Sequence, residues 1–267
     1  VTRIRILGPS GLMCRLTGIE CAVMPNLLRL QKTGDLSLAY LHVSIESPAM
    51  GHIELTFCGD WKKLPDLTTR FQVSFSKRDG ELTQDILFVG QRAQCLEPLD
   101  VQQIRAHRGI IRAELSFEDE APYAGAREAL TLARTLFANG GAALFVETAT
   151  KVFTPRTLGE MTTDEPRLLF HFLVEVFGSD EAIMTSGMTA FHLPDVRVPY
   201  TAETVAPAQA AAFNLSARMV CDGYVPTDGS IFRASESAPL YNISKTEDAD
   251  YDNTLGFWTL TMVEPSV

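Results

Sequence analysis

The stretch IIRAELSFEDEAPYAGAREALTLARTLFANGGAALFV, residues 110–146, carries a strand, a helix and a strand in succession, and its reading decides the fold. In 110–117, Ile111, Ala113, Leu115 and Phe117 alternate with Ile110, Arg112, Glu114 and Ser116, the period of a strand with one dry face and one partly polar face. Glu118, Asp119 and Glu120 then precede Pro122. Negative charge and a proline that lacks only an N–H no helix would use mark a helix amino terminus. Through Asn139, the residues Ala126, Ala129, Leu130, Leu132, Ala133, Leu136 and Phe137 line one side, and Arg127, Glu128, Thr131, Arg134 and Thr135 line the other. Gly140 and Gly141 end the helix, and residues 142–146 resume as a short apolar strand.

Downstream, Thr154 caps a brief helix predicted over 155–161. Residues 168–176 place Leu168, Phe170, Phe172, Val174 and Val176 on one apolar face and are expected to form the central strand. Residues 183–193 cross Gly187 and end at Pro194. A long helix is predicted over 206–221, with Ala206, Ala210, Phe213, Ala217 and Val220 on one stripe and Ala212, Leu215 and Met219 on another, so it should pack on more than one side. Gly223 closes it, and the remainder reads as turns and strands ending in 257–262.

Upstream the pattern is mostly that of strands. Residues 69–77 alternate Phe71, Val73 and Phe75 with polar residues, Asp79-Gly80 suits a hairpin turn, and 85–89 would be the return strand. Strands are also predicted over 36–45 and 52–57, separated by the breaker-rich Ser47-Pro48-Ala49-Met50-Gly51, and a short helix over 21–30 despite Pro25. The pattern lapses over 94–100, where Pro98 offers a junction. The fold class is therefore α+β: an antiparallel β-rich first half, 1–100, joined to a βα-alternating second half, 101–267, with two main helices packed on a mixed sheet. Both two domains and one continuous domain fit a chain of 267 residues.

Composition excludes several classes. Hydrophobic residues at 46% and charged residues at 21% are those of a globular protein. The most apolar segment, 168–177, contains His171 and Glu175, so neither a membrane-spanning helix nor membrane insertion is expected. Residues 1–7 carry Arg3 and Arg5 with no apolar stretch after them, so no signal peptide is expected. Five scattered cysteines (Cys14, Cys21, Cys58, Cys95 and Cys221) do not form a disulfide framework, and a reducing cytoplasm is the expected compartment. A formal charge of −10 with dispersed cations argues against nucleic acid as a partner.

The second half resembles the family known as domain of unknown function 4261 over residues 107–231. The resemblance is carried by His107 before the alternating strand, Gly140-Gly141-Ala142-Ala143-Leu144-Phe145 and Val152-Phe153-Thr154-Pro155. It continues through Thr185-Ser186-Gly187-Met188, Leu193-Pro194-Asp195-Val196, Asn214, Asp222-Gly223 and Asp228-Gly229. These are mostly turn and packing signals. The resemblance implies no activity, cofactor or catalytic residue, and Phe191-His192 stands where a small residue such as glycine is expected.

Chemistry is sought by spacing. There is no Cys-x-x-Cys, Cys14 and Cys21 lie seven apart, and the histidines (His42, His52, His107, His171 and His192) form no close pair on a helix face, which argues against structural zinc. His171 and Glu175 share a strand face in this reading but stand about 13 Å apart at strand rise, too far for a dyad. Asp248, Asp250 and Asp252 imitate the start of a calcium loop that then fails at Asn253 and Thr259, where Gly and Glu are needed. No Gly-x-Ser-x-Gly and no phosphate-binding glycine loop occurs. Cys221 closes a buried helix and reads as packing, and Asn214 and Arg218 read as a structural pair at i, i+4.

Two functions remain. The first is non-enzymatic protein–protein interaction, as a regulator or assembly component, with a protein partner and a homo-oligomer among the forms it could take and no cofactor. The second is an enzyme or small-ligand binder with a pocket between the halves near His107, Glu147, Thr185, Ser186 and His192. No catalytic motif favours the second.

Overall fold

The computed structural model describes residues 3–7, 13–16, 43–46, 51–117, 123–161, 164–246 and 255–263. The helix expected over 21–30, residues 36–42 of an expected strand, the acidic helix start at 118–122 and the calcium-like Asp248, Asp250 and Asp252 lie outside the described residues. The chain divides into two compact units, Val1–Met50 and Gly51–Val267. In the first, β1 (Arg3–Leu7) runs antiparallel between β2 (Met13–Leu16) and β3 (Val43–Glu46), with Ile4 opposite both Leu16 and Ile45.

The second unit is α+β and holds two sheets. The five-stranded sheet is antiparallel, in the order β5-β6-β4-β7-β8, from β4 (Gly51–Gly59), β5 (Gln72–Lys77), β6 (Gly109–Phe117), β7 (Gly141–Val146) and β8 (Lys151–Phe153). Its strands come from both sides of residue 100, and β4 pairs β6 over nine residue pairs, from Gly51 opposite Phe117 to Gly59 opposite Gly109. The division of the chain is therefore at Met50/Gly51, in the breaker-rich stretch, and not near Asp100.

Two helices occupy the region where a return strand and a junction are expected from the pattern. Helix α1 (Gly80–Arg92) begins because Asp79 caps it: the carboxylate accepts from the Glu81 and Leu82 amides at 2.9 and 3.4 Å. The Asp-Gly pair that suits a hairpin is here an N-cap and a first residue. Ile86, Leu87 and Gly90 then face inward at helical spacing, and Gly90 makes room for Leu96, whose Cδ1 lies 2.5 Å from where a Cβ would stand. Helix α2 (Pro98–Ala106) starts on a reciprocal cap between Glu97 and Asp100 with Pro98 in the first turn, so this proline opens a helix instead of marking a boundary.

Helix α3 (Ala124–Ala138) packs on the inner face of this sheet, where Ile53, Leu55, Phe57, Ile111, Ala113, Leu115 and Leu144 meet Ala126, Ala129, Leu130, Ala133 and Leu136. Gly140, at φ +97°, ends it in the left-handed region. The brief helix α4 (Pro155–Gly159) carries the expected Thr154 cap, with the Thr157 amide donating to Oγ1 at 3.3 Å.

Residues 168–176 are not a central strand. Helix α5 (Pro166–Leu173) fills most of the segment, and β9 (Glu175–Gly178) is an edge strand. The run is apolar except at His171 and Glu175 and fits either period, and Pro166 after Glu165 supplies the helix start. It is largely apolar because it serves two cores: Leu169, Phe172 and Leu173 join the five-stranded sheet's core, Phe170 and Val174 the other, while Arg167 and His171 take the remaining side.

The six-stranded sheet is mixed, in the order β12-β13-β14-β11-β10-β9, with β10 (Ala182–Ser186), β11 (Asp195–Pro199), β12 (Ile231–Arg233), β13 (Leu240–Thr246) and β14 (Phe257–Met262); only β11 and β14 pair in parallel. Helix α6 (Val205–Cys221) lies on one face. Its stripe of Ala212, Leu215 and Met219, joined by Ala208, Ala211 and Ser216, is buried against the sheet and α5 as expected. Ala206 and Ala210 of the other stripe are exposed. Among the described residues, no helix is long and apolar enough to cross a membrane.

Candidate functional site

The five-stranded sheet's second face is divided along its length. At one end Cys58 and Ala143 are apolar and are covered by Ile86, Leu87 and Ile104 of α1 and α2, and Ile110, opposite Cys58, is fully buried. Toward the other end the same strands turn polar: Thr56 stands opposite Arg112, Glu54 opposite Glu114 and His52 opposite Ser116. Residues two apart on a strand share a face, so His52 and Glu54 project beside each other and Glu114 faces them from β6.

Here His52 Nδ1 lies 3.1 Å from Ser116 Oγ and His52 Nε2 lies 3.1 Å from Glu54 Oε1. His52 and Glu54 are partly buried and Glu114 is exposed. One ligand atom from each of His52, Glu54 and Glu114 falls within 4.8 Å of the other two, making this a candidate metal-ligand group among the described residues. The backbone is fixed from two sides. The Thr189 hydroxyl, in the 3-10 turn Met188–Phe191, donates to the His52 carbonyl at 3.4 Å, and fully buried Thr56 donates from its hydroxyl to Glu147.

The five residues expected to line a pocket engage different partners. Glu147 opens the 3-10 turn Glu147–Ala149 after β7 and accepts from Thr56. Ser186 lies near it, donating to the Thr148 carbonyl at 2.6 Å. Thr185 is buried, donating to Asp195 Oδ1 at 2.9 Å and accepting from the Val196 amide at 2.8 Å. These bonds hold the Gly187 turn, where a Cβ would lie 2.0 Å from the Leu173 carbonyl oxygen. His192 ends the second 3-10 turn in the left-handed region, at φ 58°.

His107 belongs to the other end of β4, beside Arg108, whose amide donates to the Gly59 carbonyl at 2.9 Å. From Thr56 to Gly59 is about 10 Å of strand, so His107 and Glu147 do not converge. His107 is buried with Nδ1 2.5 Å from the Ile104 carbonyl and Nε2 without a hydrogen-bond partner, and burial holds its pKa below the usual histidine value.

The remaining polar residues singled out from sequence serve structure. His171 is on α5, not on a strand face with Glu175, and its ring packs against Phe170 and Phe213 at 5.6 and 5.9 Å. Glu175 instead pairs with Lys151, whose Nζ lies 3.2 Å from Oε2 and donates to the His171 and Val174 carbonyls at 2.6 and 3.0 Å. Asn214 donates back to the Ala210 carbonyl at 2.8 Å, and Arg218 covers the Tyr224 ring at 4.8 Å. Burial pushes the Cys58 thiol up to about 12 and raises Cys221, which argues against either as a nucleophile.

His52, Glu54 and Glu114 are the residues that sequence reasoning missed. The signal was present as His-x-Glu in one strand and Arg-x-Glu-x-Ser in another; the pairing register that brings Glu54 to Glu114 was not.

The six-stranded sheet presents a second surface. Phe232, Tyr241, Ile243 and Leu260 face α6, so Ile231, Arg233, Leu240, Asn242 and Thr261 face away. Ile231 is 55% exposed, Leu240 36% and Val263 40%, and the Val263 amide donates to the Leu240 carbonyl at 2.8 Å. Compared with family models, curated proteins and solved structures, the chain has no match.

Proposed function

We propose that the protein acts by binding another protein, and that the partner adds an extended segment along β12, at the edge of the six-stranded sheet. The observation that carries this reading is the grouping of Ile231, Leu240 and Val263 on the face turned away from α6, beside an edge strand of three residues. Exposed apolar side chains scattered singly need no explanation, but Ile231 on the edge strand with Leu240 and Val263 behind it offers main-chain hydrogen bonds together with apolar anchors. The formal charge of −10 disfavours a second copy and favours a partner of neutral or positive charge. The scattered hydrogen bonds of His107, Glu147, Thr185, Ser186 and His192 give an enzymatic reading less support, and the resemblance to domain of unknown function 4261 adds no activity to it. The free thiols of Cys58, Cys95 and Cys221 support a reducing compartment such as the cytoplasm.

Affinity purification from the native host at native concentration tests the reading. The wild-type chain should bring a stoichiometric partner, the Ile231→Lys/Leu240→Lys variant should lose it, and Val225→Lys, at a position 79% exposed, should retain it. Recovery of the wild-type chain alone, or an unchanged partner on the double variant, overturns it.

A further inference from the structure

We propose that His52, Glu54 and Glu114 bind a divalent transition-metal ion of the zinc class, with His52 Nε2 and one oxygen from each carboxylate as ligands and the remaining position open to water. This site is separate from the proposed docking edge and does not depend on it.

The argument starts from register. Glu54 and Glu114 are direct cross-strand partners, an arrangement of like charges that destabilises a strand pair unless something offsets it. Glu147 adds a third carboxylate where it accepts from Thr56, the next residue on the same face of β4, and Arg112, opposite Thr56, is the nearby cation on β6. A cation between Glu54 and Glu114 turns this repulsion into attraction.

Donor chemistry and geometry narrow the ion. One imidazole nitrogen and two carboxylate oxygens suit zinc, whereas magnesium and calcium take oxygen alone. Zinc–ligand bonds of about 2.0–2.2 Å keep donor atoms at most about 4.4 Å apart. The ligand atoms here already lie within 4.8 Å of one another, so side-chain rotation of partly exposed glutamates closes the gap without moving either strand. His52 is also pre-oriented. With Ser116 Oγ 3.1 Å from Nδ1, that nitrogen can donate to the hydroxyl once Nε2 takes the metal, the outer hydrogen bond that ligating histidines characteristically make. Binding displaces any proton Nε2 shares with Glu54, and that proton passes to solvent.

The test is titration of the full chain, freed of metal by chelation, with zinc chloride followed by calorimetry, and with cobalt chloride followed by visible absorption. One zinc should bind per chain, and cobalt should develop the absorption bands of a site with nitrogen and oxygen ligands. His52→Ala and Glu114→Gln should each weaken zinc by at least about tenfold, and Ser116→Ala, which removes only the outer hydrogen bond, by about tenfold. Glu81→Gln, which removes a carboxylate from α1 on the same unit, should change nothing. Both ligand positions lie at the open end of the sheet, so thermal unfolding of the metal-free variants should match the wild type. Absence of saturable zinc binding by the wild-type chain overturns the proposal. So does zinc binding that His52→Ala and Glu114→Gln leave unchanged.

Discussion

The five-stranded and six-stranded sheets differ in how far their second faces are covered. Both bury one face under a helix, α3 in the first and α6 in the second. On the five-stranded sheet the outward residues are apolar for half their length, and α1 and α2 cover that half alone, leaving His52, Glu54, Arg112, Glu114 and Ser116 open. On the six-stranded sheet, polar outward residues such as Arg233, Asn242 and Thr261 run to the β12 edge, where they are joined by Ile231, Leu240 and Val263. A layer of helix extends as far as the outward side chains repay burial, and the surfaces where it stops are those open to ligands and partners.

The contrast is sharpest within one strand. Ile110 and Ser116 lie on the same face of β6, one fully buried and one exposed. Ile110→Ala should destabilise the protein by about 2–5 kcal/mol, through lost burial and the cavity left behind. Ser116→Ala should stay within about 0.5 kcal/mol. Urea denaturation of the two variants measures this, and equal losses would break the comparison.

A second substitution probes the seam between the sheets. At Gly187 the backbone is left-handed, φ +95°, and a Cβ would meet the Leu173 carbonyl at the end of α5, which serves both cores. Gly187→Ala should cost about 3 kcal/mol, from backbone strain and displacement of α5. A melting temperature within a degree or so of wild type would show that the seam yields freely.

The two regions also differ in how much their sequences disclosed. Residues 109–117 could be read because Arg112, Glu114 and Ser116 interrupt the apolar residues at every second position, leaving one period. In 168–173 no polar residue breaks the apolar run except His171, so alternation and helical spacing fit equally there; Pro166, with Arg167 and His171 four apart on the less buried side, decides for a helix. Asp79-Gly80 was ambiguous for a local reason: the same side chain that favours a turn caps a helix when its oxygen finds the amides two and three residues on. The cluster of His52, Glu54 and Glu114 was half legible. Each strand displays its own ligands, but their meeting depends on a long-range register that no local pattern specifies.

Titration probes the covered end of the same face by a smaller effect. His107 is buried beside α2 with its pKa held below 6.5, chiefly by desolvation, so the unfolded chain takes up a proton that the folded chain resists. Between the two values the unfolded state binds more protons, and stability falls as pH drops through 6.5 toward the folded value. His171, shifted in the same direction by burial, contributes with the same sign. Unfolding midpoints at about pH 7.5 and about pH 5.5, above the range where carboxylates titrate, should show a loss for the wild type and a smaller one for His107→Gln. An identical loss in the variant would mean that the covered end leaves His107 room to charge.

The least effect is expected at the bare edge. Ile231→Lys exchanges a side chain already 55% exposed, on a strand paired on one side only, so folding stability should move by less than about 0.5 kcal/mol. Lysine on an edge strand is itself a device against strand addition, because it places charge where a neighbouring chain would pair. The substitution therefore separates two quantities that covary at Ile110: stability should hold while partner capture is lost. If chemical denaturation instead shows a loss comparable to Ile110→Ala, the outward face of the six-stranded sheet is already covered within the chain, and the contrast between the two sheets collapses.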